Sequence, residues 1–162
     1  MTTKADFTDT EWEVLLRAPM VAGMAITLAD PGGPIEVVKE TSAVLKFVTG
    51  EGEEREDLVG EVAREIRSLA QQRTNPVGDF KPRGPLAGKE VIDEISRAGE
   101  IVGAKATPEE AEAFRAWILE CAQRAADAAK EGGFMGFHAE RVSQGEKEML
   151  AQLRSALGMP AA

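Results

Sequence analysis

The chain reads as an all-α protein, a compact bundle of about six helices with no β-sheet. Three observations lead there. Apolar residues recur every three or four positions through six separate stretches, no stretch shows the strict alternation of a half-buried strand, and helix caps or breakers bound the stretches. With 162 residues, 43% of them hydrophobic, residues 1–162 suffice for a single domain that buries its core without disulfides or a structural metal.

Thr8 and Glu11 stand at capping-box spacing, and Trp12, Leu15, Leu16, Pro19, Met20, Met24 and Leu28 follow at helical intervals. Pro19 lies inside this pattern, where its missing N–H predicts a kink or a split near Ala18. The breakers from Asp30 to Pro34 end the first helix. A second helix begins at Pro34, places Ile35, Val38, Thr41, Val44, Leu45 and Val48 on one face, and stops at Thr49-Gly50. Beyond the acidic residues 51–54, a third turns Leu58, Val59, Val62, Ile66 and Leu69 inward.

Residues 74–88, from Thr74 to Gly88, hold too many prolines and glycines for a regular element and read as a connection between an N-terminal and a C-terminal three-helix half. A fourth helix carries Val91, Ile95, Ala98 and Val102. The fifth starts with Thr107 as N-cap, Pro108 in the first helical position and Glu110 closing a capping box. Its inner stripe is Phe114, Trp117, Ile118, Cys121, Ala125 and Ala128, and Gly132-Gly133 ends it. After an apolar loop, Ser143 and Glu146 open a last helix with Met149, Leu150, Leu153 and Leu157 inside and Gly158 as its cap.

A net charge of −9 and a pI near 4.8 argue against nucleic acid and against an anionic membrane surface as partners, because both need clustered Lys and Arg. The first residues lack the basic and apolar regions of a signal peptide, and the apolar run from Ala18 to Ala29 is too short to span a bilayer. One cysteine excludes an intrachain disulfide. A cytoplasmic protein is expected.

Three constellations are candidates for function. The glycine-punctuated loop with Phe134, Phe137 and His138 is suited to a protein partner. Arg73, Lys81 and Arg83 form the one basic stretch of an acidic chain and could contact an anion. Asp30, Glu36 and Glu40 cluster around a glycine-rich turn, the oxygen-rich setting that a hard divalent cation requires. No other cofactor is expected. One His, one Cys, no Tyr and no phosphate-binding loop argue against an enzyme. A non-enzymatic interaction or scaffold protein, binding a protein partner or its own copies, is the leading expectation.

Around the acidic turn the sequence Ala29-Asp30-Pro31-Gly32-Gly33-Pro34-Ile35-Glu36, with Glu40 one turn later, resembles the TerB-like group of tellurite-resistance proteins, small bacterial helical proteins. A second similarity lies at Ala126-Asp127 and in the last helix with Glu146 as its acid. The resemblance implies an all-helical domain binding a divalent metal through Asp30, Glu36 and Glu40, in a bacterial stress response. The prolines after Asp30 and the long 74–88 connection depart from that pattern.

Overall fold

A computed structural model of the protein describes residues 1–52, 54–130 and 142–162. Among the described residues it is all helical, with no strand. Six α-helices follow one another: α1 (Asp9–Ala29), α2 (Pro34–Phe47), α3 (Leu58–Gln71), α4 (Ala87–Lys105), α5 (Pro108–Lys130) and α6 (Gln144–Ala156).

α1 is the axis of the bundle and packs against each of the other five. Its sequence explains the position. Twelve of its 21 residues are buried, Leu15, Val21 and Ile26 among them, and a helix apolar on nearly all sides must be surrounded. By length and composition alone α1 could cross a bilayer, yet 67% of its apolar window lies buried inside the fold. The expected capping box forms, with Glu11 N–H donating to Thr8 Oγ1 at 3.2 Å and Thr8 N–H donating to Glu11 Oε2 at 2.8 Å. Pro19 does not split α1, which runs continuously through it.

α2 departs from expectation. Ile35 and Val38 are 69% and 65% exposed, Thr41 is exposed too, and the face turned inward is Glu40, Val44, Phe47 and Val48. The reason is geometric: repeated steps of three residues slip by about 60° each on a helix of 3.6 residues per turn, so 35, 38, 41 and 44 wander halfway round it. The second half of the series is core and the first half surface. α2 then passes directly into a π-helical turn, Val48–Gly52, instead of stopping at Thr49.

The inner stripes of α3, α4 and α5 fall as expected, except that Leu69 and Ala128 are only partly covered. Phe114 and Ile118 are fully enclosed, and burial pushes the Cys121 thiol far up, which leaves it unreactive in the native protein. The connection is shorter than the expected 74–88, because α4 already begins at Ala87; it contains a short 3₁₀ turn, Gly84–Leu86, buries Val77 and packs a partly buried Phe80 against the core. α6 has the full Ser143–Glu146 capping box and buries Leu153 and Leu157.

α3 and α6 end in the same way, with paired hydrogen bonds from the two residues after the last turn: Thr74 N–H to Leu69 O and Arg73 N–H to Ala70 O in one, Met159 N–H to Arg154 O and Gly158 N–H to Ser155 O in the other. This motif needs a left-handed residue. α6 uses Gly158 at φ +72°, whereas α3 uses Arg73 at φ +56°. A side chain there costs roughly 1 kcal/mol, so Arg73→Gly is expected to raise stability by about that amount, read as a higher urea midpoint with an unchanged slope.

Candidate functional site

The three constellations expected from the sequence fare differently. Phe134, Phe137 and His138 lie outside the described residues. Arg73, Lys81 and Arg83 are all exposed along the connection. The cleft that the connection does line, about 490 Å³ between α1 and α3, contains Asp9, Glu13, Glu65 and Asp79 against Lys4 and Arg17, which is no setting for an anion.

Around the acidic turn, Asp30 is the exposed C-cap of α1, while Glu40 is 2% exposed and accepts a hydrogen bond from the Thr27 hydroxyl. The Glu36 side chain lies outside the description. Among the described residues no three His, Cys, Asp or Glu side chains come together as a metal site. Glu40 instead ties α2 to α1 across their shared interface.

On either side of the turn, at the α1–α2 corner, large apolar side chains are left exposed. Leu28 from the last turn of α1 is 41% exposed, and Val37 (38%) joins Ile35 and Val38 on the first turns of α2. The other large hydrophobic side chains so exposed among the described residues are Met1 and Leu86. Single exposed apolar residues are ordinary, but Ile35 and Val38 are one turn apart on the same outward face of α2 and make a small apolar surface there. Exposed Asp30 and Lys39 stand beside it, one before α2 and one on its second turn.

A second feature is a cleft of about 270 Å³ between the π-helical turn and α5. Phe47, Gly52, Ala113 and Ala116 line it. The indole of Trp117 forms part of its wall at 4% exposure, and among the described residues its Nε1–H has no hydrogen-bond partner. The contrast with Trp12 is direct, since the Trp12 Nε1–H donates to Glu65 Oε2 at 2.9 Å. Glu51, Glu120 and Arg55 supply the charges of the cleft. Arg124 stacks over the Phe47 ring at 4.7 Å and pairs with Glu120 at 3.1 Å and Glu51 at 3.7 Å.

Neither feature was visible in the sequence reading. The three-residue repeat places Ile35 and Val38 on the core face, and Trp117 falls on the buried stripe of α5, so periodicity points to neither. Compared with family models, with curated proteins and with solved structures, the chain finds no match.

Proposed function

We propose that the protein is a non-enzymatic helical interaction module that associates with a second copy of itself through the α1–α2 corner. The observation behind this reading is the pair Ile35 and Val38, one turn apart and 69% and 65% exposed on the outward face of α2, with exposed Leu28 and Val37 at the same α1–α2 corner. A two-fold axis through the first turns of α2 brings each patch against its mate, which is the self-complementary arrangement of an isologous dimer. Charge supports the same choice. Antiparallel pairing sets the exposed Asp30 of one copy near the exposed Lys39 of the other, twice per dimer, within a chain whose net charge of −9 would otherwise keep copies apart.

Sedimentation equilibrium over a range of protein concentrations tests the proposal. The expected result is a monomer–dimer equilibrium that shifts toward monomer by at least tenfold in Kd for Val38→Asp, since burying an unpaired carboxylate at the centre of an apolar contact is costly. Leu86→Asp, at the exposed apolar residue of the 3₁₀ turn, is expected to leave the equilibrium in place. A protein that stays monomeric at every concentration, or a Val38→Asp variant that dimerises as the wild type does, overturns it.

A further inference from the structure

We propose that the cleft between the π-helical turn and α5 is a binding site for a small zwitterion of the α-amino acid class. It is independent of the self-association surface, because the cleft shares no residue with the α1–α2 corner. Its anchor is the Trp117 Nε1–H. A buried donor without an acceptor costs about 1–3 kcal/mol, a deficit that a ligand oxygen removes. Gly52 leaves the space beside that buried donor free of a side chain. A Cβ at residue 52 would come within 3.4 Å of Trp117 Nε1 and 3.1 Å of the Ala63 Cβ, so any larger residue would fill the space over the indole edge.

The chain from Phe47 onward runs antiparallel to α5, with Phe47 and Glu51 beside Arg124 and Gly52 beside Trp117. Past Gly52 the chain turns, Arg55 N–H donating to Gly52 O at 3.3 Å, and Arg55 joins the cleft wall, while Glu51 and Glu120 share Arg124. The cleft thus brings one cation, Arg55, and two carboxylates, Glu51 and Glu120, to the walls that hold the indole. A ligand carboxylate fits the Trp117 N–H and the Arg55 guanidinium. An ammonium a few bonds away fits Glu120, which is one helical turn from Trp117 on the same face of α5. Ala113, Ala116 and the Phe47 ring leave room for a modest apolar side chain. Arg55 already grips the Asp57 carboxylate through Nε and Nη2, so a ligand would meet its remaining Nη1 and a charge that Asp57 partly offsets.

The test is a thermal melt of the full chain against the common L-amino acids at millimolar concentration, followed by titration of the strongest while watching Trp117 emission and the indole Nε1–H resonance. A raised midpoint and a saturable downfield movement of the Trp117 resonance, with the Trp12 resonance unmoved, are expected. Trp117→Phe keeps a ring and loses the donor, and should weaken binding about tenfold or more. Glu120→Gln, on the exposed rim, provides the same loss without touching the core. The amide-capped and the des-amino analogues of the strongest amino acid should each bind at least about tenfold less well. No saturable change with any amino acid overturns the proposal. So does a des-amino analogue that binds equally, which would make the site one for plain carboxylates, or binding undiminished in both variants.

Discussion

Gly60→Ala is expected to destabilise the protein by about 3 kcal/mol, against a normal gain of roughly 0.5–1 kcal/mol when a glycine inside a helix becomes alanine. The sign reverses because of one backbone atom. A Cβ on Gly60 would lie 1.8 Å from the Arg55 carbonyl oxygen and 2.6 Å from its carbon. That carbonyl cannot easily swing away, since it accepts from Arg64 Nη1 at 2.8 Å, while Asp57 binds both the Arg55 guanidinium and the Gly60 N–H as N-cap of α3. The chain entering α3 and the first turn of α3 must therefore separate. Gly88, in the first turn of α4, is the internal comparison, because a Cβ there meets nothing within 4 Å. Urea unfolding of the two variants should give midpoints on opposite sides of the wild type, with Gly88→Ala gaining up to about 0.5 kcal/mol. Because Arg55 also lines the amino acid cleft, Gly60→Ala should weaken ligand binding together with stability.

The second large effect is expected at Glu110. Its carboxylate accepts from the Thr2 N–H at 3.0 Å, from the Thr2 hydroxyl at 2.6 Å and from the Thr107 hydroxyl at 3.1 Å. Both Glu110 and Thr2 are buried, so Glu110→Ala leaves the two Thr2 donors without an acceptor, at a cost of about 2–3 kcal/mol near neutral pH. Burial by itself raises the carboxyl, but the hydrogen bonds from Thr2 and Thr107 outweigh it and hold Glu110 below its ordinary value of 4.5. A group lowered on folding adds stability that is complete above its unfolded value and fades as pH falls through the folded one. Wild-type stability should thus decline below about pH 4.5, with Glu110→Gln showing a shallower decline over the same range. Asp57, also lowered through its bonds from Arg55 and Gly60 despite burial, contributes to the slope that remains.

Much of the fold was legible because it is written locally. The Thr8–Glu11 and Ser143–Glu146 boxes form as spaced, and three- and four-residue repeats correctly turn Val62, Ile66, Ile95, Phe114 and Ile118 inward. Glu110 shows where locality ends. Its spacing to Thr107 marked a helix start, but its strongest partner is Thr2, 108 residues away, which no periodicity can report. The same holds for Trp117: its stripe announces burial, while the unsatisfied N–H depends on Gly52 arriving from the π-helical turn. In α2 the failure lay in the period itself, since a run of i+3 steps drifts around the helix and joins a buried half to an exposed half. Arg73 was read for its charge, whereas its structural role is a left-handed backbone that a glycine would normally occupy.

The central claim is that two copies meet through the first turns of α2, and disulfide trapping tests it most directly. Cys121 is fully buried and does not compete, so Val38→Cys presents one reactive thiol close to the proposed two-fold axis. Under mild oxidation this variant is expected to form a covalent dimer much faster than Lys89→Cys, whose thiol would sit on the exposed face of α4. Equal rates of crosslinking for the two variants would contradict the account.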